Sequence, residues 1–361
     1  MNTVEKSPAK EIAYFDILNV LATLSVVWIH FGNEVHWYDG SSAWKMCVPI
    51  QVLAYWAVPV FFMFTGATLM TYREKYDTKT FFRRRLYRGI LPYLLWGTIL
   101  LIVRWDNLSQ EVTGWSGKIN LIVNSYVNNS MESIYWFFIP LIAIYFAMPV
   151  LSLLARKDNR DILNYALIVG VISISVLPFG YNFIQTLLFT NSGFAWNGMW
   201  NFPAFGGYAL YPVLGYWAAT QDFSKKQRLT IYIVGVGCAA FRFWGIWYLS
   251  ARDGVVPQVF MDYLSFPAVG LALAVWVYIR YAKWSNPVGN VRLCSFLSVL
   301  SRCGLGVYLI HIFVINWMAP LECFGKYSAK WYYGWPILVY AACVLFVWVI
   351  KKIPVLKWLF P

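Results

Sequence analysis

Charge is scarce in this sequence, since only 12% of its 361 residues are charged, against about a quarter in an ordinary soluble domain. Histidine and cysteine are few as well, with three and six residues respectively. The cysteines show no CxxC pair and no metal-ligand spacing, and the chain has no Walker loop, GxGxxG turn or HExxH motif. We therefore expect neither a soluble enzyme nor a metal-dependent or nucleotide-loop protein.

Apolar residues, by contrast, make up 60% of the chain. A membrane-spanning helix needs about 20 mostly apolar residues, and such stretches recur along the whole sequence. We predict an all-α polytopic membrane protein, a single domain over residues 1–361, with about ten transmembrane helices and both termini in the cytoplasm. The first span lacks a cleavage site and is expected to be retained. The predicted spans are residues 12–31, 48–71, 88–103, 134–155, 162–180, 204–219, 230–249, 261–282, 295–318 and 334–351.

Two features refine this prediction. The sixth span is short and carries Gly206, Gly207 and Pro212, which favours a kinked or broken helix. With a cytoplasmic N-terminus, 21 of the 29 Lys and Arg residues fall in cytoplasmic segments and six in outer loops, as the positive-inside rule requires. The net charge of +13 is thus explained by topology and by anionic lipid of the bilayer, and it gives no reason to expect a nucleic-acid partner.

An ionisable residue stands near the end of the first span, FDILNVLATLSVVWIHFG, at His30. A titratable side chain at membrane depth is costly, and such residues commonly mark function. Histidine is also well suited to proton transfer near neutral pH. A histidine that only hydrogen-bonds between helices is the alternative, which the residue type leaves open.

A second concentration of chemistry lies in the predicted loop between spans two and three, YREKYDTKTFFRRRLYRGILPYLLW. Arg85 and Arg88 are three residues apart, so on a helix they project from one face, where they could bind a phosphorylated ligand. For Arg83 and Arg84 a stop-transfer cluster on lipid headgroups is favoured, although Arg84 is kept in the candidate site.

Five motifs, in order and at matching membrane positions, resemble those of the acyltransferase 3 family of bacterial integral-membrane acyltransferases. The resemblance covers essentially the whole chain. One position departs from the family pattern, because Asn19 stands where the family usually has an arginine. The motifs are Asp16 with His30; Thr65 and Gly66 within PVFFMFTGATL; the run RRRLYR; Trp136 with Tyr145 and Pro149; and Gly306 with Tyr308 and His311.

The resemblance implies a bacterial plasma-membrane enzyme that moves an acyl group from cytoplasmic acyl-CoA, with acetyl-CoA the expected donor, to a hydroxyl of a cell-surface or lipid-linked glycan. His30 would act as general base or brief acyl acceptor, and Glu34, one turn onward, would orient it. Tyr308 and His311 would stabilise the oxyanion or line the tunnel, although an interfacial packing role for His311 stays open.

The nucleotide of the donor would be bound at the inner mouth by Arg84, Arg85 and Arg88, with Asn19 as the fourth candidate. Asn19 carries no charge, so a phosphate contact there is weakened or passes to the arginine cluster. Asn19 lies about 16 Å from His30 along a helix. An exporter of a polysaccharide intermediate or small solute, and a non-catalytic sensor, are the alternative functions. A homo-oligomer is left open.

Overall fold

The computed structural model describes residues 8–110, 112–188, 196–202, 204, 206–282, 291–354, 356, 359 and 360. All regular structure within these residues is helical, which confirms the predicted class. The helices of eight or more residues are α1 Pro8–Phe31, α2 Ser42–Ala54, α3 Ala57–Leu69, α4 Thr78–Arg85, α5 Leu91–Val103, α6 Gly114–Val127, α7 Phe138–Leu151, α8 Arg160–Gly170, α9 Leu177–Leu188, α10 Leu210–Thr220, α11 Lys225–Trp244, α12 Phe266–Tyr281, α13 Val291–Met318 and α14 Trp335–Ile350.

Seven helical segments of the described chain are long and apolar enough to cross a membrane, so the protein is a polytopic membrane protein. The predicted eighth and tenth spans correspond to α12 and α14, two shorter apolar helices. The predicted sixth span is reduced to α10, whose 11 residues are too few to cross a bilayer alone. The seven segments are Tyr14–Phe31, Ser42–Glu74, Thr78–Val103, Ser133–Ala155, Lys157–Leu188, Lys225–Asp253 and Arg292–Met318.

Helix α10 starts later than the predicted residue 204 because Gly206 and Gly207 precede it, the second of them with a φ of +53° that suits glycine. From Leu210 the helix is continuous through Pro212, which lies in its first turn. Proline is tolerated there because the missing N–H has no intrahelical partner in any case.

The arginine run predicted for a loop is helical. α4 begins at Thr78, where Asp77 accepts a hydrogen bond from the Thr80 backbone N–H at 2.8 Å. A π-helical turn, Leu86–Ile90, then joins α4 to α5. The loop assignment was wrong because the side-chain cap at Asp77 lets the helix start ten residues before the predicted span.

The basic connections lie at one end of the helix bundle, here called the basic end. Whether this end faces the cytoplasm stays a prediction, and Lys6, Lys283 and Lys357 of the cytoplasmic set lie outside the described residues. Hydrogen bonds tie the basic connections to neighbouring helices, among them Arg73 Nε to Ser152 Oγ at 2.9 Å, Arg160 Nη1 to Thr220 Oγ1 at 3.0 Å, and Lys351 Nζ to the Arg302 carbonyl oxygen at 3.0 Å.

α3 and α10 approach each other closely through glycines. A Cβ atom at Gly66 would lie 1.8 Å from the Pro212 carbonyl oxygen, and one at Gly215 would lie 2.1 Å from the Met63 carbonyl oxygen. Small residues allow membrane helices to bring their backbones together in this way. The glycine of the second sequence motif therefore serves a helix contact.

We expect Gly215→Ala to destabilise the protein by about 1–3 kcal/mol, because the new methyl group would displace the α3 backbone. The measurement is thermal unfolding of the purified protein in detergent. Gly237→Ala is the matched control, since a Cβ at Gly237 meets no atom within 4 Å. Equal unfolding temperatures for the two variants would contradict the close contact.

The predicted orientation can be tested by cysteine labelling. In a chain whose Cys294 and Cys323 are replaced by serine, we expect Lys157→Cys to react only with reagent that reaches the cytoplasm, because it belongs to the basic end. Lys118→Cys, in α6, should react from outside the cell. Labelling of residue 157 by an impermeant external reagent would reverse the assignment.

Candidate active site

α1 and α13 pack side by side, and polar contacts fix their register near the basic end. The Asn19 side-chain N–H donates to the Ser301 carbonyl oxygen at 3.2 Å and to Ser301 Oγ at 3.0 Å. Thr23 Oγ1 donates to the Asn19 carbonyl oxygen at 2.8 Å. Asn19 is thus an interhelical hydrogen-bonding residue, while its expected role towards the donor stays a prediction.

The same helix pair brings two histidines together. The ring centroids of His30 and His311 are 5.0 Å apart, and His311 is completely buried. Its Nδ1 lies 3.0 Å from the Val307 carbonyl oxygen and 2.8 Å from that of Tyr308. A ring nitrogen facing two acceptors is the one that carries the proton, so Nε2 of neutral His311 is the acceptor nitrogen. Nε2 has no hydrogen-bond partner among the described residues.

Glu34, the predicted orienting carboxylate, lies in a cavity wall that also contains His30. Its Oε2 is 3.9 Å from Cys47 Sγ, and the described residues show no hydrogen bond between Glu34 and His30. The orienting role of Glu34 stays a prediction. The side chain that the structure places against the His30 ring is His311.

Tyr308 is engaged in a pair of crossed hydrogen bonds. Its hydroxyl donates to the Ile134 carbonyl oxygen, while the Tyr135 hydroxyl donates to the Leu309 carbonyl oxygen at 2.9 Å. The two bonds fasten α13 to the 3-10 turn Ser133–Phe137. Since the Tyr308 hydroxyl hydrogen already points at a carbonyl, the geometry favours lining of the cavity over donation to an oxyanion.

A first cavity, of about 250 Å³, extends from the basic end towards His30, and we call it the basic-end cavity. Asn19, Ser301 and Arg302 line one part of it, and His30 and Tyr308 line another. Most of the remaining wall is apolar. Its lining includes neither Arg84, Arg85 nor Arg88.

A second cavity, of about 280 Å³, lies on the other side of His30, and we call it the far cavity. Its lining is more polar and includes Asn33, Glu34, Asn316 and Lys326. The two cavities share three wall residues: His30, Ile134 and Trp136. His30 therefore borders a space on each side.

The three arginines of the predicted cluster lie in different surroundings. Arg84 is exposed and its guanidinium lies 4.3 Å from the ring centroid of Tyr76. The Arg85 guanidinium is 5.9 Å from the ring centroid of Tyr145, and its Nε is buried without a hydrogen-bond partner among the described residues. Arg88 is exposed. Their expected contact with the donor stays a prediction.

Sequence reasoning missed an aromatic stack that begins in the wall of the basic-end cavity, at Trp136 and Tyr263. Trp136 stacks on Tyr263 with ring centroids 5.5 Å apart, and Tyr263 stacks on Tyr55 at 4.1 Å. The Arg242 guanidinium carbon lies 3.3 Å from the centroid of the Tyr55 ring. The stack thus runs from a residue that both cavities share to a buried cation.

Arg242 is completely buried, and its Nε donates to the Phe260 carbonyl oxygen at 2.9 Å. In the loop after α1, the pKa of His36 is lowered first by burial and second by the positive charge of the Arg242 guanidinium. An arginine inside an apolar span could have indicated this part of the site from the sequence, because ionisable residues at membrane depth are costly and commonly mark function.

The fold and the cavities define a polytopic membrane protein in which His30, packed against the buried His311, lines two cavities. The sequence model of the acyltransferase 3 family, described as an acyltransferase domain, matches residues 12–351. The chain therefore belongs to the acyltransferase 3 family of membrane-bound acyltransferases. No curated protein and no solved structure matches it.

We expect Tyr308→Phe to lower the stability of the protein by about 0.5–1.5 kcal/mol, the usual contribution of one hydrogen bond. We also expect it to lower acyl transfer less than tenfold. Tyr135→Phe, which removes the crossed partner bond, is the matched control and should behave alike. A rate loss of about 10²–10³ in Tyr308→Phe alone would instead identify Tyr308 as an oxyanion donor.

Proposed function

We propose that the protein transfers an acyl group, with acetyl as the expected group, from cytoplasmic acyl-CoA to a hydroxyl of a cell-surface or lipid-linked glycan. The observation that carries the proposal is the position of His30 in the shared wall of two cavities. The basic-end cavity has one cation, Arg302, in its wall, and the lining of the far cavity is more polar. Donor and acceptor can thereby reach one imidazole from opposite sides.

His30 is the general base of this reaction. It takes the proton of the acceptor hydroxyl, and the oxygen attacks the thioester carbonyl carbon. The carbon–sulfur bond then breaks, and the CoA thiolate leaves with the proton that His30 held. No oxidant or metal is needed for this balance of atoms.

His311 positions His30. The carbonyl oxygens of Val307 and Tyr308 hold the His311 proton on Nδ1, which leaves Nε2 as the acceptor of a buried ring that packs against the His30 ring. An acceptor there stabilises a protonated His30 while the tetrahedral intermediate forms, in the way a third group orients the base of other acyl-transfer enzymes.

The far cavity suits the acceptor because its polar groups match a ligand rich in hydroxyls. Asn33 and Asn316 present amides, which both donate and accept hydrogen bonds. Lys326 adds three donors, and the Trp136 and Trp331 rings supply apolar faces. The more apolar basic-end cavity suits the aliphatic arm of the donor.

We expect His30→Ala to lower acyl transfer by about 10²–10⁴-fold, the usual contribution of a general base. CoA binding should persist, because Asn19, which lines the basic-end part of the cavity, lies about 16 Å along α1 from His30. The measurement is thioester consumption and CoA affinity of the purified, folded variant. His36→Gln is the histidine control, since His36 lines neither cavity.

His30→Gln separates catalysis from structure, because an amide replaces a hydrogen bond but cannot shuttle a proton. Near-normal transfer by this variant would mean that His30 is structural. An acyl adduct on His30 in the absence of acceptor would replace the single-step mechanism with a covalent one. Failure of the purified wild type to bind or slowly hydrolyse acyl-CoA would favour an exporter.

A further inference from the structure

We propose that Arg302 and Lys351, together with Arg88, form the site that binds the phosphate groups of the acyl donor at the mouth of the basic-end cavity. The inference rests on the acyl-CoA donor of the proposed function. It adds two residues, Arg302 and Lys351, to which none of the sequence motifs assigns a role.

Arg302 supplies the charge of the cavity wall. Among the described residues that line the basic-end cavity, Arg302 is the only Asp, Glu, Lys or Arg residue. It is exposed, so it can meet a ligand that enters from solvent. Asn19, which replaces the arginine usual in the family, lines the same cavity and bonds to Ser301, the neighbour of Arg302. Arg302 therefore supplies a positive charge close to Asn19, whose side chain is uncharged.

A second cation, Lys351, stands next to Arg302. Lys351, directly after the end of α14, donates from Nζ to the Arg302 carbonyl oxygen at 3.0 Å. Its pKa is lowered first by burial and also by the positive charges of Arg302 and Arg88, against an opposing effect of Cys303. Lys351 thus contacts Arg302 and lies within electrostatic range of Arg88, which belongs to a third helical pass.

The packing of those passes keeps the cations together. Trp96 of α5 stacks with Phe313 of α13 at 6.3 Å between ring centroids. α13 and α14 meet at Gly306, where a Cβ atom would lie 2.6 Å from Val347 Cγ1. The mutual position of the three charges is therefore set by the helix bundle and not by flexible loops.

Arg88 and Arg302 have no ion-pair partner among the described residues, whose ion pairs join Arg104 with Glu132, Arg252 with Asp253 and Arg280 with Asp222. Like charges held close together repel, and a multiply charged anion relieves this repulsion. Phosphate oxygens also match the guanidinium fork of arginine.

Anionic lipid headgroups share this phosphate chemistry, but the position of Arg302 favours the donor. Its side chain lines a cavity whose wall also contains His30. Arg302 and His311 are nine residues apart on α13, or about 14 Å at the rise of an α-helix. An extended donor with phosphates at one end and a thioester at the other fits that separation.

The test compares CoA, 3′-dephospho-CoA and pantetheine as ligands of the wild type and of Arg302→Gln in nanodiscs of neutral phosphatidylcholine. We expect Arg302→Gln to bind CoA at least about tenfold more weakly, since a charge-assisted hydrogen bond is lost. The loss of affinity caused by Arg302→Gln should be similar or smaller for 3′-dephospho-CoA, and it should be absent for pantetheine, which has no phosphate. Arg302→Lys should bind CoA with intermediate affinity, and Lys351→Gln should weaken CoA binding in the same phosphate-dependent way.

Arg292→Gln is the matched control, because Arg292 is exposed on the same helix and does not line the cavity. Unchanged CoA affinity in Arg302→Gln, with the wild type binding CoA, would overturn this inference and leave the proposed function intact. Native mass spectrometry that finds loss of bound phosphatidylglycerol, with unchanged CoA affinity, would identify a lipid site instead. Absence of CoA binding by the folded wild type would overturn the proposed function itself.

Discussion

The candidate site depends on the contact between α1 and α13, because each helix supplies one of the two imidazoles. Asn19 and Ser301 fix the register of the two helices by hydrogen bonds, and 11 residues further along α1 the His30 ring meets that of His311 at 5.0 Å. A slip of one residue between the helices would turn one ring by about 100° about its helix axis and separate the pair. The interhelical hydrogen bonds near the basic end therefore determine the geometry of the catalytic candidates some 16 Å away.

Burial of polar groups in an apolar bundle is costly, so each such group needs either a partner or a function. Most of the polar groups near the site have partners: Tyr308 and Tyr135 bond to opposite backbones, and Asn19 bonds to Ser301. His311 Nε2 has no hydrogen-bond partner among the described residues. The His311 ring lies against that of His30, the residue proposed to hold a proton during acyl transfer. The pattern of satisfied and unsatisfied groups thus agrees with the roles proposed for the two histidines.

Hydropathy was sufficient to predict the class of the fold, because a bilayer admits few alternatives to a bundle of apolar helices. It failed at α4, where the side chain of Asp77 caps a helix that continues into the apolar span through a π-helical turn. For the site, the cost of a histidine in a span pointed to His30, and the family motif added His311. The aromatic stack of Trp136, Tyr263 and Tyr55 could not be predicted, because its members come from separate passes and aromatic residues make up 20% of the chain. Only three-dimensional packing distinguishes these rings from the others.

The substitution at position 19 has an electrostatic explanation in the same packing. Asn19 and Arg302 line one cavity, and the Asn19 amide bonds to the residue that precedes Arg302 in the chain. An arginine at position 19 would add a second guanidinium to a wall already near Lys351 and Arg88, and the repulsion among four cations would be relieved only while an anion is bound. Asparagine avoids this cost in the empty site and still supplies the hydrogen bonds that align α1 with α13. In the proposed donor site, the electropositive cavity mouth would thus come from α13 and α14 and not from α1.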